Sequence, residues 1–181
     1  MLFTLNRSIM LSFSAIIVVM AVNSGARAAT ANGNARTRLV APATLSKNAD
    51  LDFGRVITGT TASTVTINAQ TGLRTKTGTA VLVGTLASRA QFTGTAQGGT
   101  TIRVTASSPT IVLTRVGGGS TITLNTLRVS MNGGAPQTLP RNYVMPASGT
   151  QSYAIGGRIA VAANKLAGIY SGTFALTMDY Q

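Results

Sequence analysis

The sequence predicts an all-β fold, a sandwich of about eight to ten short strands, on three observations. Apolar runs are short, and Gly, Ser, Asn and Pro break them; glycine alone fills 20 of 181 positions, too many for long helices. Cysteine is absent, so no disulfide staples the fold, and stability has to come from an apolar core and a complete sheet. The last residues alternate. From Tyr170 the even positions carry Tyr170, Gly172, Phe174, Leu176, Met178 and Tyr180, and the odd ones Ser171, Thr173, Ala175, Thr177, Asp179 and Gln181. Successive strand side chains point to opposite faces, so this segment has one apolar and one mostly polar face. The chain stops inside the pattern, and the expectation is a C-terminus held in a sheet.

The front end reads as an export signal. Arg7 supplies a positive charge, Ile9 to Val22 is a mainly apolar run of 14 residues, and Ala26-Arg27-Ala28 fits the small-x-small cleavage rule. The run falls short of the roughly 20 residues that span a bilayer, so cleavage before Ala29 is expected and no membrane span after it. Residues 1–28 are thus expected to be a signal peptide and 29–181 a single domain, exported to the periplasm, cell surface or medium. The remaining 153 residues are enough for one domain with a sizeable core.

The elements follow in order. Ala29 to Leu39 sets Ala31, Ala35, Thr37 and Leu39 on one parity and Asn32, Asn34, Arg36 and Arg38 on the other, an extended arm ending near residue 40. Pro42 interrupts pairing and Asn48 marks a turn. Leu51 to Val56 is a short apolar stretch around Gly54, and Val65 to Asn68 a strand. Thr79 to Gly84 places Val81 and Val83 on one face, and Ala90 to Gly94 places Ala90 and Phe92 together. Ile102 to Val104 and Thr110 to Val116 are further strands. In Thr121 to Met131 the apolar parity switches between Leu124 and Leu127, which predicts a bulge near Asn125-Thr126. Asn132 to Pro136 is a turn, Leu139 to Gly149 a loop around Tyr143, Arg158 to Ala162 a strand, and Asn164-Lys165 the turn into the last one. Such a series of short strands suits an immunoglobulin-like sandwich.

Catalysis finds little to work with. There is no His, no Cys and no Trp, and the only acids are Asp50, Asp52 and Asp179. A Ser-His-Asp or Cys-His arrangement cannot be built, and no His- or Cys-ligated metal can be held. Asp50 and Asp52 share one strand face, but turn, capping and ion-pair roles explain them more simply. No enzyme activity and no cofactor are therefore expected. Gly98-Gly99 and Gly117-Gly118-Gly119 lack a following Lys-Ser/Thr and read as hairpin turns, not phosphate loops. Loss of Arg7 and Arg27 with the signal leaves 13 basic residues against 3 acids, a net +10. The basic residues are spread almost evenly without interleaved aromatics, so weak polyanion attraction is expected and specific nucleic-acid binding is not. Tyr143 and Tyr153 flank a Pro-containing loop; they read as core edge before sugar contact.

The ending resembles the C-terminal signature of bacterial chaperone–usher pilus subunits, with alternating apolar residues, a penultimate tyrosine (Tyr180) and a glycine fourteenth from the end (Gly168). Leu51-Asp52-Phe53-Gly54-Arg55-Val56, followed by Gly59 and Val65-Thr66-Ile67, also resembles a family of secreted bacterial domains of unknown function related to pilin and adhesin sandwiches. The resemblance spans roughly Thr37 to Gln181. It implies a structural or surface-interaction subunit that assembles by strand complementation, with a periplasmic chaperone and like subunits as partners. Tyr170, Phe174, Leu176, Met178 and Tyr180 would line the groove beside the terminal strand, Gly168 would permit a tight approach, and residues 29–40 would be the donated arm. This arm offers alanines and one leucine where donor arms present larger anchors, which favours pairing within its own chain. The alternative is a self-complete secreted sandwich that binds an anionic surface polymer or a partner protein.

Overall fold

The computed structural model describes residues 29–181; the expected signal peptide lies outside them. The chain divides into two units, residues 1–37 and 38–181. In the first, the described residues 29–37 form no strand, and in the second the first strand starts only at Thr44. The expected pairing of the arm within its own chain therefore has no strand to carry it.

The second unit is all-β. In chain order its strands are β1 (Thr44–Ala49), β2 (Arg55–Ile57), β3 (Ser63–Ile67), β4 (Arg74–Thr77), β5 (Val81–Val83), β6 (Ala90–Thr95), β7 (Thr101–Ala106), β8 (Ile111–Arg115), β9 (Thr121–Met131), β10 (Gln137–Thr138), β11 (Arg141–Val144), β12 (Thr150–Val161), β13 (Tyr170–Ser171) and β14 (Leu176–Tyr180). Fourteen strands exceed the expected eight to ten because β1, β4, β10 and β11 lie in polar or proline-flanked segments without apolar alternation, and the terminal segment divides into β13 and β14.

Nine strands form one antiparallel sheet built on β12. Along one edge, Thr150 to Ile155 of β12 pairs with β6, and Gly157 to Val161 pairs with β3. Its other edge pairs with β9. Beyond these lie β1 on β6, β4 on β3, β8 and β10 on β9, and β13 on β8. A second sheet has the order β11-β7-β14, and β2 and β5 form a separate ribbon. Tyr153, Ile155, Val129, Val65 and Ile67 of the large sheet join Ile102, Val104 and Met178 of the small one in a single buried cluster. The sheets meet closely at Gly94, where a Cβ would lie 2.7 Å from the Tyr153 ring and 2.9 Å from Met178 Sδ. Only glycine fits there.

The bulge in β9 falls where the parity switch predicts it. Asn125 pairs with Arg158 and Arg128 with Gly156, so Thr126 and Leu127 face Gly157 alone. Thr126 has φ +56°, and the extra residue lets Leu124 and Leu127 both point into the core.

Several expectations change. The segment 139–149 is not a loop throughout, since β11 pairs with β7 there. Asn48 lies inside β1 at a register irregularity, not at a turn. Residues 151–161 form one continuous strand through Gly156-Gly157. Val81 and Val83 do share a face, but it is the exposed one; their neighbours Val56 and Leu82 pack against the core. Alternation fixes parity, not which face turns inward.

A candidate assembly edge

The terminal segment keeps its predicted alternation but is two strands, not one. Tyr170–Ser171 pairs with β8 in the large sheet, whereas Leu176–Tyr180 pairs with β7 in the small sheet. Residues 172–175 cross between them. Gly172 permits the crossing, because a Cβ there would sit 2.7 Å from the Val112 carbonyl oxygen. The face persists across the gap: Tyr170, Phe174, Leu176 and Tyr180 are half-buried, Met178 is buried, and Ser171, Thr173, Ala175, Thr177, Asp179 and Gln181 are exposed.

The structure thus brings together four of the six candidate residues. Phe174 meets Phe92 edge to face, ring centroids 6.2 Å apart. Tyr153 Oη donates to Gln151 Oε1 (3.1 Å) and lies 3.5 Å from Met178 Sδ, and Tyr180 Oη donates to the Ala41 carbonyl (2.5 Å) while accepting from Gln97 N–H (2.8 Å). Gly168 and Tyr170 sit instead beside β8. At Gly168 (φ +154°) the chain passes against Arg115, whose Nε lies 2.5 Å from a built Cβ, and Tyr170 Oη donates to the Leu166 carbonyl. Of the arm candidates, Ala31, Ala35 and Thr37 carry no strand, and Leu39 is 91% exposed.

β14 is an edge strand. Ser107 N–H donates to the Ala175 carbonyl and Gln181 N–H to the Thr101 carbonyl. In an antiparallel ladder this phase aims the backbone groups of Thr177 and Asp179 at β7 and those of Leu176, Met178 and Tyr180 away from it. Among the described residues, no strand pairs with that outer edge. β1, in contact with β14, is likewise an edge strand of the large sheet. Two sheet edges thus lie side by side over one core.

Other polar groups have structural duties. Asp50 pairs with Lys47 at 2.7 Å, and Asp52 Oδ1 caps Gly54 N–H at 2.7 Å. Among the described residues no three His, Cys, Asp or Glu side chains come together. Arg74 donates to the carbonyls of Phe53, Arg55, Val83 and Gly84, and Arg89 to those of Ala69 and Gln70. These arginines bind main-chain carbonyls in place of carboxylates. The shortage of acids was the sequence signal for this role. Tyr153 is fully buried, and burial, with Tyr143 nearby, pushes its phenol up to about 12. Burial also raises Tyr143, opposed by the charge of Arg141; its Oη is buried without a partner among the described residues.

Fold and edge together define a class: an antiparallel β-sandwich whose terminal strand leaves one side open for pairing. The chain belongs to the family described as Domain of unknown function (DUF4402), whose family model matches residues 43–180. No curated protein and no solved structure matches it. Among the described residues, no helix is long and apolar enough to cross a membrane.

Proposed function

We propose that this is an exported structural or surface-interaction protein, a pilin- or adhesin-like subunit that assembles by strand complementation and performs no catalysis. The observation that carries the reading is the free edge of β14 above an apolar inner face. An added strand would receive main-chain hydrogen bonds from Leu176, Met178 and Tyr180 and set alternate side chains against the core. The arm around Ala31, Ala35, Thr37 and Leu39 of a neighbouring subunit is the proposed donor. Its lack of strand structure in its own chain supports this role over pairing at home. Until the neighbour arrives, a periplasmic chaperone would cover the edge, since an open edge invites unwanted pairing.

Size-exclusion chromatography of residues 29–181 and 41–181 tests the proposal. The longer form is expected to form concentration-dependent oligomers. The shorter should remain monomeric and bind an added 29–40 peptide, with slower amide exchange at Leu176, Met178 and Tyr180. A longer form that stays monomeric at every concentration, with those amides unchanged by peptide, would overturn it. A second reading, a self-complete secreted domain, draws support from Met178 at 8% and Tyr153 at 0% exposure, a core already sealed without a donated strand.

A further inference from the structure

The bulge in β9 opens a cleft that the assembly reading does not use. It measures about 240 Å³ and is lined by Thr66, Asn68, Thr126, Arg128, Pro136 and Arg158. Arg128 pairs with Gly156 and Arg158 lies two residues further along β12, so both side chains leave the outer face of the sheet at the bulge. Each guanidinium makes one hydrogen bond to a neutral oxygen, Arg128 Nη1 to Thr138 Oγ1 (2.8 Å) and Arg158 Nε to Asn125 Oδ1 (3.3 Å). Among the described residues neither meets a carboxylate. A guanidinium has five N–H donors, so most of both forks remain available. Two like charges on one cleft repel each other, and an anion between them relieves that repulsion.

The bulge, which holds Thr126 at φ +56°, brings its side chain to the rim of the same cleft. From these features we infer that the cleft binds the carboxylate or sulfate group of an acidic saccharide. The planar forks of Arg128 and Arg158 match an oxyanion. Hydroxyl and amide groups of Thr66, Thr126 and Asn68 are suited to sugar hydroxyls, and Pro136 offers an apolar wall. No aromatic side chain lines the cleft for a base to stack on, which disfavours single-stranded nucleic acid. The volume is below the roughly 300–1,000 Å³ of drug-sized sites, so one acidic ring of a longer polymer is accommodated.

Calorimetry and amide NMR on the purified protein test this with a galacturonate trimer, a heparin-derived sulfated disaccharide, inorganic sulfate and a neutral maltotriose. Shifts confined to residues 66–69, 125–128, 136 and 156–158 are expected with one or both acidic sugars and not with maltotriose; which sugar binds tells carboxylate from sulfate. Arg128→Gln and Arg158→Gln should each weaken that binding at least tenfold, and Arg103→Gln, which removes an equal charge from the small sheet, less than twofold. If a variant fails to fold, the wild-type shift map decides. Equal weakening by Arg103→Gln, shifts scattered over all arginines, binding of sulfate alone, or no binding would overturn the inference.

Discussion

Arg74 shows how one side chain can hold a loop-rich sandwich together. Its guanidinium reaches four carbonyls, at 2.8 Å and 3.3 Å on Phe53 and Arg55 and at 3.3 Å and 2.6 Å on Val83 and Gly84, fastening the β2–β5 ribbon to β4. Lysine keeps the charge but not the planar fork. Arg74→Lys should therefore cost about 1–3 kcal/mol, read as a lower urea midpoint at unchanged slope. Tyr153 provides a second test. Its phenol is raised to about 12, so the folded state keeps the proton after the unfolded chain, near the ordinary value of 10, has lost it. The contribution is fully present below pH 10 and disappears as pH rises toward 12. The unfolding free energy from urea titrations should be flat to pH 10 and then fall by about 2–3 kcal/mol in all. Tyr153→Phe should flatten that alkaline slope, and an unchanged slope would show that Tyr153 does not cause it.

At the scale of strands, β14 separates inner from outer positions. Met178 is 8% exposed and Thr177 beside it faces out. Met178→Ala should cost about 2–5 kcal/mol and Thr177→Ala under about 1 kcal/mol. Equal losses in melting temperature would show that the alternation does not mark one buried face. In β9, the bulge imposes φ +56° on Thr126, and glycine reaches that conformation freely. Thr126→Gly should be neutral or stabilising by up to about 1 kcal/mol, whereas Thr123→Gly, in regular strand, should destabilise; differential scanning calorimetry distinguishes them.

For the whole molecule, residues 29–181 carry 13 basic residues against 3 acids, a net +10 spread over the chain. Retention on a heparin column should fall steeply between low and moderate salt, because exposed charges are screened over about 8–10 Å near physiological ionic strength. Sequence-selective DNA binding that survives high salt would contradict this.

The all-β class, the bulge at Asn125-Thr126 and the inward parity of Phe174, Leu176, Met178 and Tyr180 were legible in the sequence, because each rests on side-chain period, a local property of the chain. The assembly edge was legible only in part. Nothing local says that residues 170–180 divide between two sheets, since parity continues across the crossing at Gly172. Nor does it say that β12 runs unbroken through Gly156-Gly157, where Ile67 and Ala69 pack over the first glycine and Leu124 and Leu127 over the second. The free side of β14, the exposure of Val81 and Val83, the carbonyl-binding arginines and the cleft between Arg128 and Arg158 were decided by tertiary structure alone. Each depends on which segment lies alongside, and that is set by contacts between residues tens of positions apart in the chain.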